Sequence, residues 1–63
     1  MEKEEFEKTF WNIEHEKGKV IVKLENAKIT AWSYVITEHL VSFYAKTGNE
    51  CITVSIASIV FLF

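Results

Sequence analysis

The hydrophobic pattern of this chain changes period at Gly18. Before it, Phe6, Phe10 and Ile13 recur at i, i+4 and i+7 with Trp11 beside them, while Glu4, Glu5, Glu7, Lys8, Glu14 and Glu16 occupy the other face. This predicts an amphipathic helix over residues 1–17, with early glutamates at the positive end of its dipole and Gly18 as its stop. Lys3 with Glu7 and Glu4 with Lys8 stand four apart, the spacing at which side chains pair on a helix.

From residue 19 to 63 the period is two. Val20, Val22 and Leu24 predict a first strand ended by Glu25-Asn26-Ala27, and Lys28 to Ile36 predicts a second. In that second strand Ile29, Ala31, Ser33 and Val35 would share one face, and Lys28, Thr30, Trp32, Tyr34 and Ile36 the other. Both faces carry apolar bulk, so the strand is expected to be covered on two sides. A third strand runs from Leu40 to Lys46, with Val41, Phe43 and Ala45 on one face. Thr47-Gly48-Asn49-Glu50 is a hairpin turn in which Gly48 or Asn49 takes positive φ. Cys51 to Ser55 is the fourth strand, Ile56-Ala57-Ser58 a short break, and Ile59 to Phe63 the fifth. The fold class expected is mainly β, a helix followed by a five-stranded, strongly bent small barrel in a single domain, 1–63.

At this size a single core only marginally offsets chain entropy, and the usual staples are missing. One cysteine cannot form an internal disulfide, and His15 and His39 lack zinc-ligand spacing, so neither metal nor cofactor is expected. Apolar residues are 49% of the chain and most follow Gly18, ending in Ile59-Val60-Phe61-Leu62-Phe63. An apolar edge strand of this kind needs a partner, which makes self-association the expected source of added stability, the alternative being a monomer whose last strand closes its own barrel. No apolar stretch approaches a membrane span, and the acidic N-terminus is unlike a secretory signal. A soluble cytoplasmic protein is expected, the single thiol suiting a reducing compartment.

Charge divides at the same glycine. Residues 1–17 hold six Glu and three Lys, residues 18–63 three Glu and four Lys, and the chain has neither Arg nor Asp. Without Arg, and with a net charge of −2, general attraction to nucleic acid is weak, although a local site remains open.

Val22-Lys23-Leu24-Glu25-Asn26-Ala27 resembles strand one and the Asn-Gly turn of the Sm-like barrels, and in particular of their bacterial Hfq branch. Ile36-Thr37-Glu38-His39-Leu40-Val41 resembles that family's Phe-Asp-x-hydrophobic entry into strand three, and Phe10-Trp11-Asn12-Ile13 its helical Phe-Leu-Asn-Ala run. The match runs without a gap from Val20 to Thr47. It implies an Sm-like (SH3-like) barrel, and assembly in which the fourth strand of one subunit pairs with the fifth of the next to close a ring. The interface would then fall on Cys51, Thr53, Val60, Phe61, Leu62 and Phe63. Departures are specific: Ala27 replaces the turn glycine, Trp32 the glycine that bends strand two, and Glu38 the family's Asp. Thr53-Val54-Ser55 stands near the family's basic RNA motif, and Ser42 where Sm proteins hold a base-reading Asn.

No nucleophile, base and oxyanion arrangement can be read, so no enzyme is expected. Glu38-His39 is the one adjacent acid and imidazole, and it reads as a solvated loop pair. Cys51, with no cation beside it, reads as a half-buried structural thiol. Two readings of function remain. One is an Sm/Hfq-like homo-oligomer binding RNA or a nucleotide weakly through Lys28, Trp32, Tyr34, His39 and Ser42. Packing against the helix or a subunit accounts for the same aromatics. The other is a small protein-interaction regulator, accessory or phage-type, acting through Glu4, Glu5 and Glu7 or through a strand edge.

Overall fold

A computed structural model describes all 63 residues. Helix α1 spans Lys3–Lys17 and closes on Gly18, whose φ of 79° lets its N–H reach the Glu14 carbonyl at 2.7 Å. A side chain placed on Gly18 would meet nothing within 4 Å, so only backbone strain opposes it. Gly18→Ala is therefore expected to lower stability by about 1 kcal/mol with the fold retained, as read by urea unfolding.

Six strands follow: β1 Val20–Leu24, β2 Lys28–Ala31, β3 Ser33–Thr37, β4 Leu40–Tyr44, β5 Cys51–Ser55 and β6 Ile59–Leu62, with a 3₁₀ turn at Ile56–Ser58. All neighbours are antiparallel, in two three-stranded sheets ordered β2-β1-β6 and β3-β4-β5. They form no closed barrel. The Ala45–Glu50 turn is closed by Ala45 N–H to Glu50 O at 3.0 Å, and Gly48, not Asn49, takes the positive φ.

The expected single strand Lys28–Ile36 is two strands in two sheets. At Trp32 the chain leaves β1 for β4, and the Trp32 N–H donates to the Tyr44 carbonyl at 3.0 Å. The inward phase slips by one there. Ile29 and Ala31 turn inward before the bend, whereas Tyr34 and Ile36 do so after it, opposite Phe43 and Val41. This slip, rather than cover on both sides, explains why the segment looked apolar on two faces: Lys28, Thr30, Ser33 and Val35 are exposed. A second slip lies in β6. Lys23 faces Phe61 but Leu24 faces Ile59, which leaves Val60 unpaired and sends both Ile59 and Leu62 inward.

The core comprises Phe6, Phe10, Val20, Val22, Ala31, Val41, Phe43, Ile59 and Leu62, with no buried polar residue. Phe6 and Phe10 bring the helix down on the inner face of the sheets, each edge-on to Tyr34 at 4.9 and 4.7 Å between ring centroids. Much of the remaining apolar bulk stays outside. Trp11, Val35, Leu40, Ile52, Val60, Phe61 and Phe63 are each more than a third exposed. No helix is long and apolar enough to cross a membrane.

Candidate functional site

Three surfaces carry the side chains of interest. The first is a groove of about 540 Å³ between α1 and the bend at Trp32, lined by Glu7, Lys8, Phe10, Trp11, Glu14, Trp32, Ser33 and Tyr34. Helical spacing sets one wall, since Glu7, Trp11 and Glu14 fall at i, i+4 and i+7 and so share a face. The bend sets the other, because the phase slip turns Tyr34 inward beneath the helix. Neither predicted helix pair, Lys3 with Glu7 or Glu4 with Lys8, forms. The one carboxylate contact is Glu14 Oε2 with His15 Nδ1 at 3.6 Å, and the His15 ring stacks on Trp11 at 4.0 Å between centroids.

Tyr34 reports the field of this groove. Burial pushes its phenol above the ordinary value, and the Glu7 carboxylate adds to the rise. A raised folded pKa favours the neutral form, so this contribution is complete below about pH 10. It is lost as pH climbs through the unfolded value toward the folded one. Tyr34→Phe, which cannot ionise, is expected to flatten that alkaline decline in a series of urea unfolding curves above pH 9.

The second surface is the outer face of the β2-β1-β6 sheet. Lys23 and Lys28 stand directly opposite one another, and Phe61 pairs with Lys23 on the other side. Phe63 exchanges both backbone hydrogen bonds with Ile21 at 2.9 Å, which places it on this face too. Its ring lies 5.2 Å from that of Phe61 and 5.8 Å from the Lys28 Nζ. The third surface is the pair of open edges. The free side of β2 faces the β4–β5 hairpin across a cleft of about 250 Å³, and that of β3 lies beside α1. In the sheets, β5 and β6 are each paired on one side only.

The five residues singled out as a ligand site do not converge. Trp32 and Tyr34 share the helix groove, Lys28 belongs to the outer face of the first sheet, and His39 is exposed in the β3–β4 turn. Ser42 points away from Tyr34, its hydroxyl bonded to that of Thr53 at 2.8 Å. Glu4 and Glu5 are exposed near the helix start, while Glu7 is half-buried in the groove. Of the residues expected at a subunit interface, Leu62 is instead part of the chain's own core. Cys51 is exposed rather than half-buried, because it opens the edge strand β5. Thr53, Val60, Phe61 and Phe63 are exposed as well.

Trp11 and Glu14 were missed as partners of Trp32 and Tyr34. Their shared helical face was visible in the spacing, but its apposition to the bend is tertiary. Compared with protein-family profiles, with curated proteins and with solved structures, the chain matches none.

Proposed function

We propose that the chain is a non-enzymatic, Sm/Hfq-like homo-oligomeric module of the cytoplasm, whose subunits join head to tail through β5 and β6. One observation carries this reading. Neither β5 nor β6 has a strand on its outer side, and Ile52 at the mouth of the β2 cleft and Val60 and Phe61 on β6 are each about half exposed. Unpaired apolar edges of this kind recruit other strands, and two different edges on one subunit make a heterologous contact, which forms a ring where its rotation closes, the arrangement proposed for this chain. The order of elements supports the family reading: a helix, a strand, a sharply bent strand, a hairpin, a 3₁₀ turn and a closing strand.

Thiol cross-linking tests the geometry. Cys51 is the only cysteine and stands on β5, so Val60→Cys adds a second thiol on β6. Treatment with a short bis-maleimide should give a ladder beyond the dimer for the variant but not for the parent chain. A face-to-face dimer through like edges would instead stop at two, and would overturn head-to-tail assembly.

The ligand proposed for this module is RNA or a nucleotide, bound weakly. Lys23, Lys28, Phe61 and Phe63 now supply the basic and aromatic chemistry expected of such a site, with Trp32 and Tyr34 in a groove that also holds two carboxylates. Labelled oligo-A and oligo-U at low salt should bind in the micromolar range, and binding by neither would remove this ligand. The exposed Glu4 and Glu5 favour a second reading, a protein-interaction regulator acting through its acidic helix.

A further inference from the structure

We propose that the groove between α1 and the bend at Trp32 binds a basic segment of a partner protein by taking up two of its arginine side chains. This rests on the second reading, the acidic helix as a partner surface, and is independent of assembly through β5 and β6.

The walls are aromatic and the polar groups are mainly acidic. Trp11, Trp32, Tyr34 and Phe10 line the space, and Trp11 is 60% exposed even with the His15 ring stacked on one face of its indole. Glu7 and Glu14 are both half-buried there, and Lys8 is the only cation among the lining residues. Glu7 has neither an ion pair nor a side-chain hydrogen bond within the chain. A partly desolvated carboxylate without a partner, beside exposed π-faces, is complementary to a cation that can stack and donate at once. Guanidinium does both, since it is planar, weakly hydrated and presents forked N–H donors. This chain holds no arginine of its own to fill the place. His15 already shows the chemistry on a small scale, its ring lying flat on Trp11 and its Nδ1 near Glu14.

The spacing selects a segment over a small ion. Glu7 and Glu14 are two helical turns apart, about 10 Å along the axis, too far for one guanidinium to bridge. Two cationic side chains on one backbone reach both carboxylates while sharing a single loss of translational freedom.

The test uses the whole chain and a capped Arg-Gly-Gly-Arg peptide at low salt, read by the indole N–H resonances of Trp11 and Trp32. Saturable shifts of both indoles are expected, weakened about fivefold in Glu7→Gln and at least about tenfold in the variant carrying Glu7→Gln and Glu14→Gln. Circular dichroism of the variants should match the parent, because both positions are partly solvent-exposed. The native mass of the double variant should also match, so failure here is separable from failure of assembly. Absence of saturable shifts at millimolar peptide, or equal affinity in the double variant, would overturn the proposal. Equal binding of tetramethylammonium would reduce the groove to a single-cation site and contradict the two-point contact. Movement of the same indoles by oligo-A but not by the peptide would assign the groove to nucleic acid and overturn it equally.

Discussion

Phe6→Ala should leave the chain unfolded at 25 °C. Phe6 is fully buried, and its ring touches Phe10, Tyr34 and Phe43 with centroids 5.8, 4.9 and 5.8 Å away, so one side chain ties the helix to the inner face of the β3-β4-β5 sheet. Truncating a buried phenylalanine costs about 3–5 kcal/mol, from lost transfer free energy and the cavity left behind. A single core of this size rarely supplies more than about 3–5 kcal/mol in total. The whole margin is therefore at stake. Far-UV circular dichroism of the variant should show neither helix nor sheet, whereas Phe6→Leu, which keeps most of the volume, should fold with a loss of less than about 1.5 kcal/mol. A Phe6→Ala protein with parent-like circular dichroism would mean that the helix is not what completes the core.

The second large effect concerns assembly. Ile52→Lys on β5 combined with Phe61→Lys on β6 should leave each subunit folded and reduce the particle to single chains. Both side chains are about half exposed, at 51% and 47%; Phe61 faces outward, and Ile52, opposite Phe43 at the mouth of the β2 cleft, leaves a lysine room to carry its ammonium out to water, so the fold is retained. At a paired edge the same lysines would be buried without partners, and edge lysine is a common device against strand pairing. Sedimentation should show the change in size with circular dichroism unaltered. Thr37→Lys, exposed where β3 meets its turn, serves as the control that should change neither.

Much of the architecture was legible because it is local. The helix stripe ends at a glycine that does take positive φ, and Val20, Val22, Val41 and Phe43 alternate inward as their period requires. The two failures share one cause. At Trp32 and again at Val60 the chain slips phase by one residue, so inward positions fall three apart: Ala31 and Tyr34, then Ile59 and Leu62. Alternation read along a sequence assumes constant phase, and nothing in Trp32 itself announces a bend. Its φ is negative and it is not glycine, so the turn of direction is imposed by which partner each half finds, β1 before and β4 after. The resemblance implies that the whole last strand lies at an interface, Leu62 included, and it does not reveal that the slip at Val60 returns Leu62 to the core.

The candidate site was less legible, because its walls come from elements far apart in the chain. Trp32 and Tyr34 were visible as an aromatic pair, yet their neighbours Glu7 and Glu14 change the character of the surface from basic to acidic. The outer face with Lys23, Lys28, Phe61 and Phe63 depends on β1 joining β2 to β6, a pairing between strands far apart in the chain. The exposure of Cys51 is not legible in the sequence, because burial of a strand residue depends on whether another strand lies beyond it. Within one subunit none lies beyond β5.

Head-to-tail assembly would cover that open side, and native mass in solution tests it most directly. Measured at micromolar concentration under non-denaturing conditions, the parent chain should have five, six or seven times its 7.3 kDa subunit mass, as a closed head-to-tail ring requires. A stable particle of 7.3 kDa would contradict it, leaving both edges unpaired in the functional molecule.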